Sequence, residues 1–512
     1  MKKILFLCLI TLLAKAQSKA PFETVRTQNG AVSGIYSNGV NVFKGIPFAA
    51  PPIGELRWKA PQPAANWQGI RKCDTFSASA MQPKPAPFMM YTTEFLAPPE
   101  PLSEDCLYLN VWTAAKSANE KRPVIVWIHG GGFSSGSGSV PLYDGEDLAK
   151  KGVVFVTINY RVGVFGFLAH PDLTKETNGK GVGNFAFLDQ IAAFEWVKKN
   201  IAAFGGDPNN VTLSGQSAGA FSVNVLMASP LAKGLFHRAI AESGGMFGHS
   251  LRMKSVADAE QTGVAFAKKL QANSIADLRA KSAEEILKAG GSITSPVLDN
   301  HVIVGDMYTL FSKNKQNDVP LLTGWNAGDR FPSPKTLTAA EFKADAEKKY
   351  GTLANDFLKA YPANTDAEAK QSQLEVGGHT LFAWQNYTWA KLQASHGRNK
   401  SYLYFFRHVP PHHPDKPDFG AFHSAEFGYT LHTLRNWDRP FTEVDRKLED
   451  QMSSYWVNFA KTGNPNGKGL PEWKAFDANS QQTMIFGDTP KTETLPFKPQ
   501  FEFWDKYRET LK

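Results

Sequence analysis

Cysteine is nearly absent from this chain. Three of its 512 residues are cysteine, Cys8, Cys73 and Cys106, so disulfides can contribute little beyond one bridge and a hydrophobic core must hold the fold. Polar linkers, low-complexity stretches and internal repeats are missing. Length alone allows two to four domains, but without a linker the chain is expected to form one domain over 17–512, enlarged by inserted helices and loops. No apolar run approaches the ~20 residues that span a bilayer. The charges are scattered, which excludes a nucleic-acid-binding surface of the usual clustered kind. What is abundant is core material: 42% of residues are hydrophobic and 12% aromatic.

The longest apolar run, Ile4 to Leu13, follows Lys2 and Lys3 and precedes Ala14-Lys15-Ala16. A basic start, a short apolar centre and a small-x-small site describe a signal peptide over residues 1–16, cut after Ala16. The protein is therefore expected to be exported, periplasmic or secreted, without stable membrane insertion. Residues 1–16 hold three lysines and no acid, so the net charge falls from +8 to +5 on cleavage.

Residues 213–219 read Leu-Ser-Gly-Gln-Ser-Ala-Gly, after the β-type run Val211–Leu213 and before the apolar stretch Ala218 to Ala228. This is a G-x-S-x-G pentapeptide where a strand gives way to a helix. Gly215 and Gly219 let the two elements approach, and the turn presents the Ser217 hydroxyl. Upstream, Val124 to Ile128 is a buried-strand run that ends in His129-Gly130-Gly131-Gly132-Phe133. Glycines after a strand allow backbone N–H groups to face a ligand. Gly131, Gly132 and Ala218 are the expected oxyanion donors, each worth roughly 2.7–4 kcal/mol in an acyl-transfer transition state.

These segments, with Phe43–Ala49, Ser103–Asn110, Asn159-Tyr160-Arg161 and Phe204–Pro208, resemble the type-B carboxylesterases, the family of cholinesterases and bile-salt-activated lipases. The resemblance runs from about residue 22 to the C-terminal end. It implies an α/β-hydrolase fold, a large mostly parallel sheet flanked by helices, and cleavage of small-molecule carboxylic esters with no cofactor and no metal. It also implies a base at His423, in Phe419–Glu426, with Glu426 anchoring that loop. His408, His412, His413 and His432 are the other histidines considered. The prolines around His412 and His413 disfavour convergence on one metal ion.

In this fold the acid lies between nucleophile and histidine. Asp329 stands where the family carries glutamate, and Arg330 replaces the usual glycine. Aspartate is one methylene shorter, so its loop must come closer, and Arg330 competes as an ion-pair partner. Asp299 and Asp306 are the alternatives. The resemblance further implies a disulfide ending at Cys106. Cys73 is its expected partner, although in many members the partner falls nearer Ala80. Between the two cysteines runs a proline-rich apolar loop, Pro83 to Tyr91, suited to a pocket rim or to packing on the domain body. It contains no tryptophan, which argues against a cholinesterase.

Further strands are expected at Val153–Asn159 and Ser401–Phe406. A helix is expected from Glu443 to Lys461, with Leu448, Met452, Tyr455, Trp456 and Phe459 on its core face. Residues 338–376 are expected to form a helical insertion or cap. Substrates of this pattern range from short-chain alkyl and aryl esters through feruloyl-type esters to longer lipid esters. The rival class is a non-enzyme of the same fold, an adhesion protein such as the neuroligins or a ligand carrier.

Overall fold

The computed structural model describes residues 21–248, 253–291, 293–330 and 335–511. The expected signal peptide and its cleavage site lie outside the described residues. The frame is an eleven-stranded sheet. In chain order its strands are β1 (Ile35–Ser37), β2 (Val40–Pro47), β3 (Tyr108–Thr113), β4 (Arg122–Ile128), β5 (Val154–Ile158), β6 (Gly206–Gln216), β7 (Arg238–Glu242), β8 (Leu321–Asn326), β9 (Ser401–Phe406), β10 (Gln482–Phe486) and β11 (Lys491–Thr494). Across the sheet they run β11-β10-β9-β8-β7-β6-β4-β5-β3-β2-β1. The seven from β10 to β5 are parallel, and antiparallel strands close both edges. This is the α/β-hydrolase arrangement.

The central strands are buried on both faces because helices cover both sides. β5, β8 and β9 are consequently buried at every residue rather than at alternate ones. On one face lie Ala218–Ala228, every residue of which is buried, and Phe185–Asn200. On the other lies Glu443–Thr462, whose Leu448, Met452, Tyr455, Trp456 and Phe459 all sit in the core. Its start is fixed by a capping box between Thr442 and Asp445. The same Asp445 accepts from Tyr429 and pairs with His408, which also meets Asp488.

Residues 338–376 fold as the helices Ala339–Tyr350, Ala354–Ala360 and the first part of Asp366–Gly378. Aromatic contacts join them to the last helix, Lys498–Glu509: Tyr350 and Phe357 lie 5.3 Å and 5.2 Å from Phe503. The third helix runs into a π-helical turn, His379–Ala383, and then into Trp384–His396. No helix among the described residues is long and apolar enough to cross a membrane.

Candidate active site

Ligands of open α/β sheets bind beyond the carboxyl ends of the parallel strands. The predicted site residues lie there, after β4, β6, β8 and β9.

Ser217 fills the single position between β6 and the helix Ala218–Ala228, at φ 55° and ψ −122°. Such a backbone costs of order 1–3 kcal/mol and persists only when its surroundings enforce it. They do so here. The Ser217 N–H donates to the Glu242 carbonyl at 2.9 Å. A Cβ on Gly215 would stand 2.6 Å from the Gly219 carbonyl carbon, and one on Gly219 would stand 2.0 Å from the Ile128 carbonyl oxygen. Strand and helix therefore touch backbone to backbone, as the pentapeptide requires.

His423 Nε2 lies 2.8 Å from Ser217 Oγ, and its Nδ1 lies 2.7 Å from Asp329 Oδ1. The imidazole and the carboxylate are 2% and 3% exposed, so this bond forms away from bulk water, where it is strongest. The shorter aspartate reaches the ring because its loop is drawn in. Gly328 bridges to Phe422 as in a parallel sheet, and its N–H donates to the Ala421 carbonyl at 2.8 Å. Asn326 completes the tie through its side-chain N–H groups, which donate to the Phe422 carbonyl at 2.9 Å and to Glu426. Arg330 makes no ion pair with Asp329 among the described residues. It acts instead on His379, whose pKa falls to about 3 through burial first and the Arg330 charge second.

The glycine loop packs against the serine: a Cβ on Gly130 would lie 3.1 Å from Ser217 Cβ. Gly131 and Gly132 adopt φ of 108° and 60°, and the Gly131 carbonyl accepts the N–H groups of Ser134 and Ser135. Among the described residues, no protein acceptor takes the N–H of Gly131, Gly132 or Ala218. The Ala218 N–H also opens a helix, where the aligned peptide dipoles favour negative charge. His129 serves the scaffold instead. Burial lowers its pKa to about 4, and its ring stacks on Tyr160 at 4.3 Å.

The alternative acids are engaged elsewhere. Asp299 accepts the N–H groups of Gly181, His301, Val302 and Ile303, and Asp306 caps the helix Met307–Ser312. His432 lies beside Glu449 and Asp147. His412 and His413 sit on the half-exposed loop after β9.

Three further residues touch His423, two at the imidazole and one at the backbone carbonyl, and nothing in the sequence around them signals the contact. Phe382, on the π-helical turn, stacks on it at 4.5 Å and 29°. Gln216 Nε2 approaches His423 Nε2 at 3.3 Å. The Tyr91 hydroxyl donates to the His423 carbonyl at 3.4 Å, so the proline-rich loop reaches the site. Its tip, Phe88 and Met89, is more than half exposed. Phe95 anchors it against Trp437, Phe427 and Phe422.

The expected disulfide is not formed. Cys73 and Cys106 are free, buried thiols. Burial raises the Cys73 pKa to about 11 and that of Cys106 further. The reason lies in placement. Cys73 is bound by backbone to Ser33 and Lys44, whereas Cys106 lines a small cavity with Ala80 and Met81. Residue 80, near which the partner falls in many members, is alanine here and lines the same cavity as Cys106.

The family model described as carboxylesterase matches residues 21–504. This chain is a member of the carboxylesterase family. It is similar to a fumonisin B1 esterase of Sphingopyxis macrogoltabida, at 35% identity over 92% of this chain and 88% of that protein. It is also similar to a para-nitrobenzyl esterase of Bacillus subtilis (strain 168), at 34% identity over 93% and 96%. A solved structure titled PNB esterase superposes with a TM-score of 0.80 at 32% identity, covering 96% of this chain and 99% of that one. The carboxylesterase is accordingly a carboxylic ester hydrolase acting on small-molecule esters.

Proposed function

We propose that the enzyme cleaves esters through an acyl-enzyme on Ser217. His423 takes the hydroxyl proton as Oγ attacks the carbonyl carbon, and the N–H groups of Gly131, Gly132 and Ala218 receive the developing oxyanion. The alcohol leaves with the proton from His423, which then activates water to release the acid. Asp329 holds the imidazole in the tautomer whose Nε2 accepts. The observation that carries this reading is the unbroken chain Ser217 Oγ–His423–Asp329, at 2.8 and 2.7 Å, beside three backbone N–H groups with no protein acceptor among the described residues.

The substrates we assign are soluble short-chain alkyl and aryl esters. Support comes from the relative named for para-nitrobenzyl esters and from the aromatic surroundings of the histidine, Phe382 and the Tyr91 loop. An adhesion role without catalysis fits poorly with a strained serine paired to a buried imidazole. A fluorophosphonate probe should label the wild type and leave Ser217→Ala unlabelled, and nitrophenyl esters should be cleaved fastest at short acyl length. Labelling of Ser217→Ala, or a steep preference for long chains at an oil–water interface, overturns the proposal.

A further inference from the structure

A second cavity, of about 290 Å³, shares no residue with the serine, histidine, aspartate or glycine loop. Its lining includes Lys44, Arg71 and Lys72, with the hydroxyl-bearing Ser77, Ser103 and Tyr108 between them. Among the described residues, Asp105 is the one carboxylate in the wall. Among the described residues, none of the three cations takes part in an ion pair. Lys44 is half-buried and Arg71 and Lys72 are exposed at the mouth, so three positive charges and one negative charge border this open cleft.

The convergence is built by the backbone. The pairing of β2 with β3 shifts register between Phe43 and Ile46, which lifts Lys44 and Gly45 out of the ladder as a bulge. Bulges re-aim side chains. This one is locked by two bonds: Lys44 N–H to the Cys73 carbonyl at 2.8 Å and Gly45 N–H to Asn110 Oδ1 at 2.9 Å. Gly45 has φ +71°, and a Cβ there would stand 3.0 Å from the Thr75 carbonyl. The bulge therefore lies directly on the segment that follows Lys72. Lys44 Nζ rests 4.4 Å from the centre of the Phe76 ring, and the Arg71 guanidinium lies against Trp67 and Tyr108. Aromatic contacts thus restrain two of the three cations before any ligand arrives, which reduces the entropy lost on binding.

We propose that this cavity binds a doubly charged tetrahedral oxyanion, phosphate either free or as a monoester. Like charges held together are relieved by one multivalent anion. A guanidinium fork matches its paired oxygens, and the Ser103 hydroxyl, whose oxygen accepts the Asp105 N–H at 3.0 Å, keeps its own O–H to donate. The volume leaves room for a small organic group beyond the anion.

Equilibrium dialysis with labelled inorganic phosphate, and separately with glycerol 2-phosphate, tests the assignment at ionic strength matched with chloride. The wild type should bind one equivalent saturably. Lys44→Met with Lys72→Met keeps the apolar stems and should weaken binding by about tenfold or more, with nitrophenyl acetate hydrolysis unchanged. Lys343→Met with Lys348→Met, on an exposed helix face, should bind as the wild type does. Binding of both probes marks a site for the free anion, and binding of the ester alone marks a phosphorylated ligand. The proposal is overturned if neither probe binds saturably at tens of millimolar, or if the Lys44/Lys72 variant binds as the wild type does.

Discussion

Asn326 holds Asp329 from behind: its backbone N–H donates to Oδ2 at 2.8 Å, which leaves Oδ1 for the imidazole. The carboxylate is thus aimed by backbone rather than by a second side chain. Asp329→Asn should keep the fold and lose the tautomer lock. We expect kcat to fall roughly 10³–10⁴-fold with little change in KM. Steady-state kinetics on nitrophenyl acetate measure this, and a loss below about tenfold would assign the acid to another carboxyl group.

The contact between Gly219 and Ile128 gives a second expectation. A methyl group at 2.0 Å from a backbone carbonyl meets an atom that cannot swing away. Gly219→Ala should lower the melting temperature by the equivalent of at least ~1–3 kcal/mol and abolish hydrolysis. Calorimetry of the purified variant beside a nitrophenyl assay checks both, and wild-type behaviour would contradict the close approach.

Buried free thiols predict a titration result. Unfolded protein lacking residues 1–16 should expose both Cys73 and Cys106 to a thiol reagent whether or not reductant is added first, and folded protein should expose neither. Ala80→Cys should restore a partner to Cys106 and form a bridge under oxidising conditions. Retention of every thiol in oxidised Ala80→Cys would show that residues 80 and 106 do not face one another.

Glu242 gives the pH dependence. Its carboxyl is fully buried, accepts from Trp456 Nε1 at 2.7 Å and lies near Glu426. Burial holds its pKa well above the usual carboxylate range. The folded protein therefore keeps a proton that the unfolded chain releases, and stability falls as pH rises through the interval between the two values. Glu242→Gln removes that loss. Relative to wild type, it should gain more than ~1 kcal/mol between about pH 5 and pH 9, measured by urea unfolding. A constant difference across that range would show that Glu242 is ionised in the native protein.

Local signals carried much of this architecture. Ser401–Phe406 and Ala218–Ala228 were legible to the residue because continuous burial leaves predominantly apolar runs bounded by polar or turn residues. The elbow and the glycine loop were legible because close backbone approach admits only glycine at a few fixed positions. β6 extends back to Gly206, beyond the Val211–Leu213 run, because Asp207, Pro208 and Asn209 have no apolar pattern and join the strand only through a register shift against β4. The contacts of Phe382, Gln216 and Tyr91 with His423 were illegible for a different reason. Each depends on pairing segments far apart in the chain, and nothing near those residues encodes it. The disulfide expectation failed on the same ground: redox chemistry favours a bridge, but geometry decides which two side chains meet.

Serine and histidine stand 206 positions apart and histidine and aspartate 94, yet all three meet within two hydrogen bonds. On the proposed mechanism, a nascent chain that ends before residue 423 lacks its base, however much of the sheet has formed. On the same mechanism, turnover requires the segment around residue 423 to dock on the sheet, so ester cleavage would double as an assay of correct assembly.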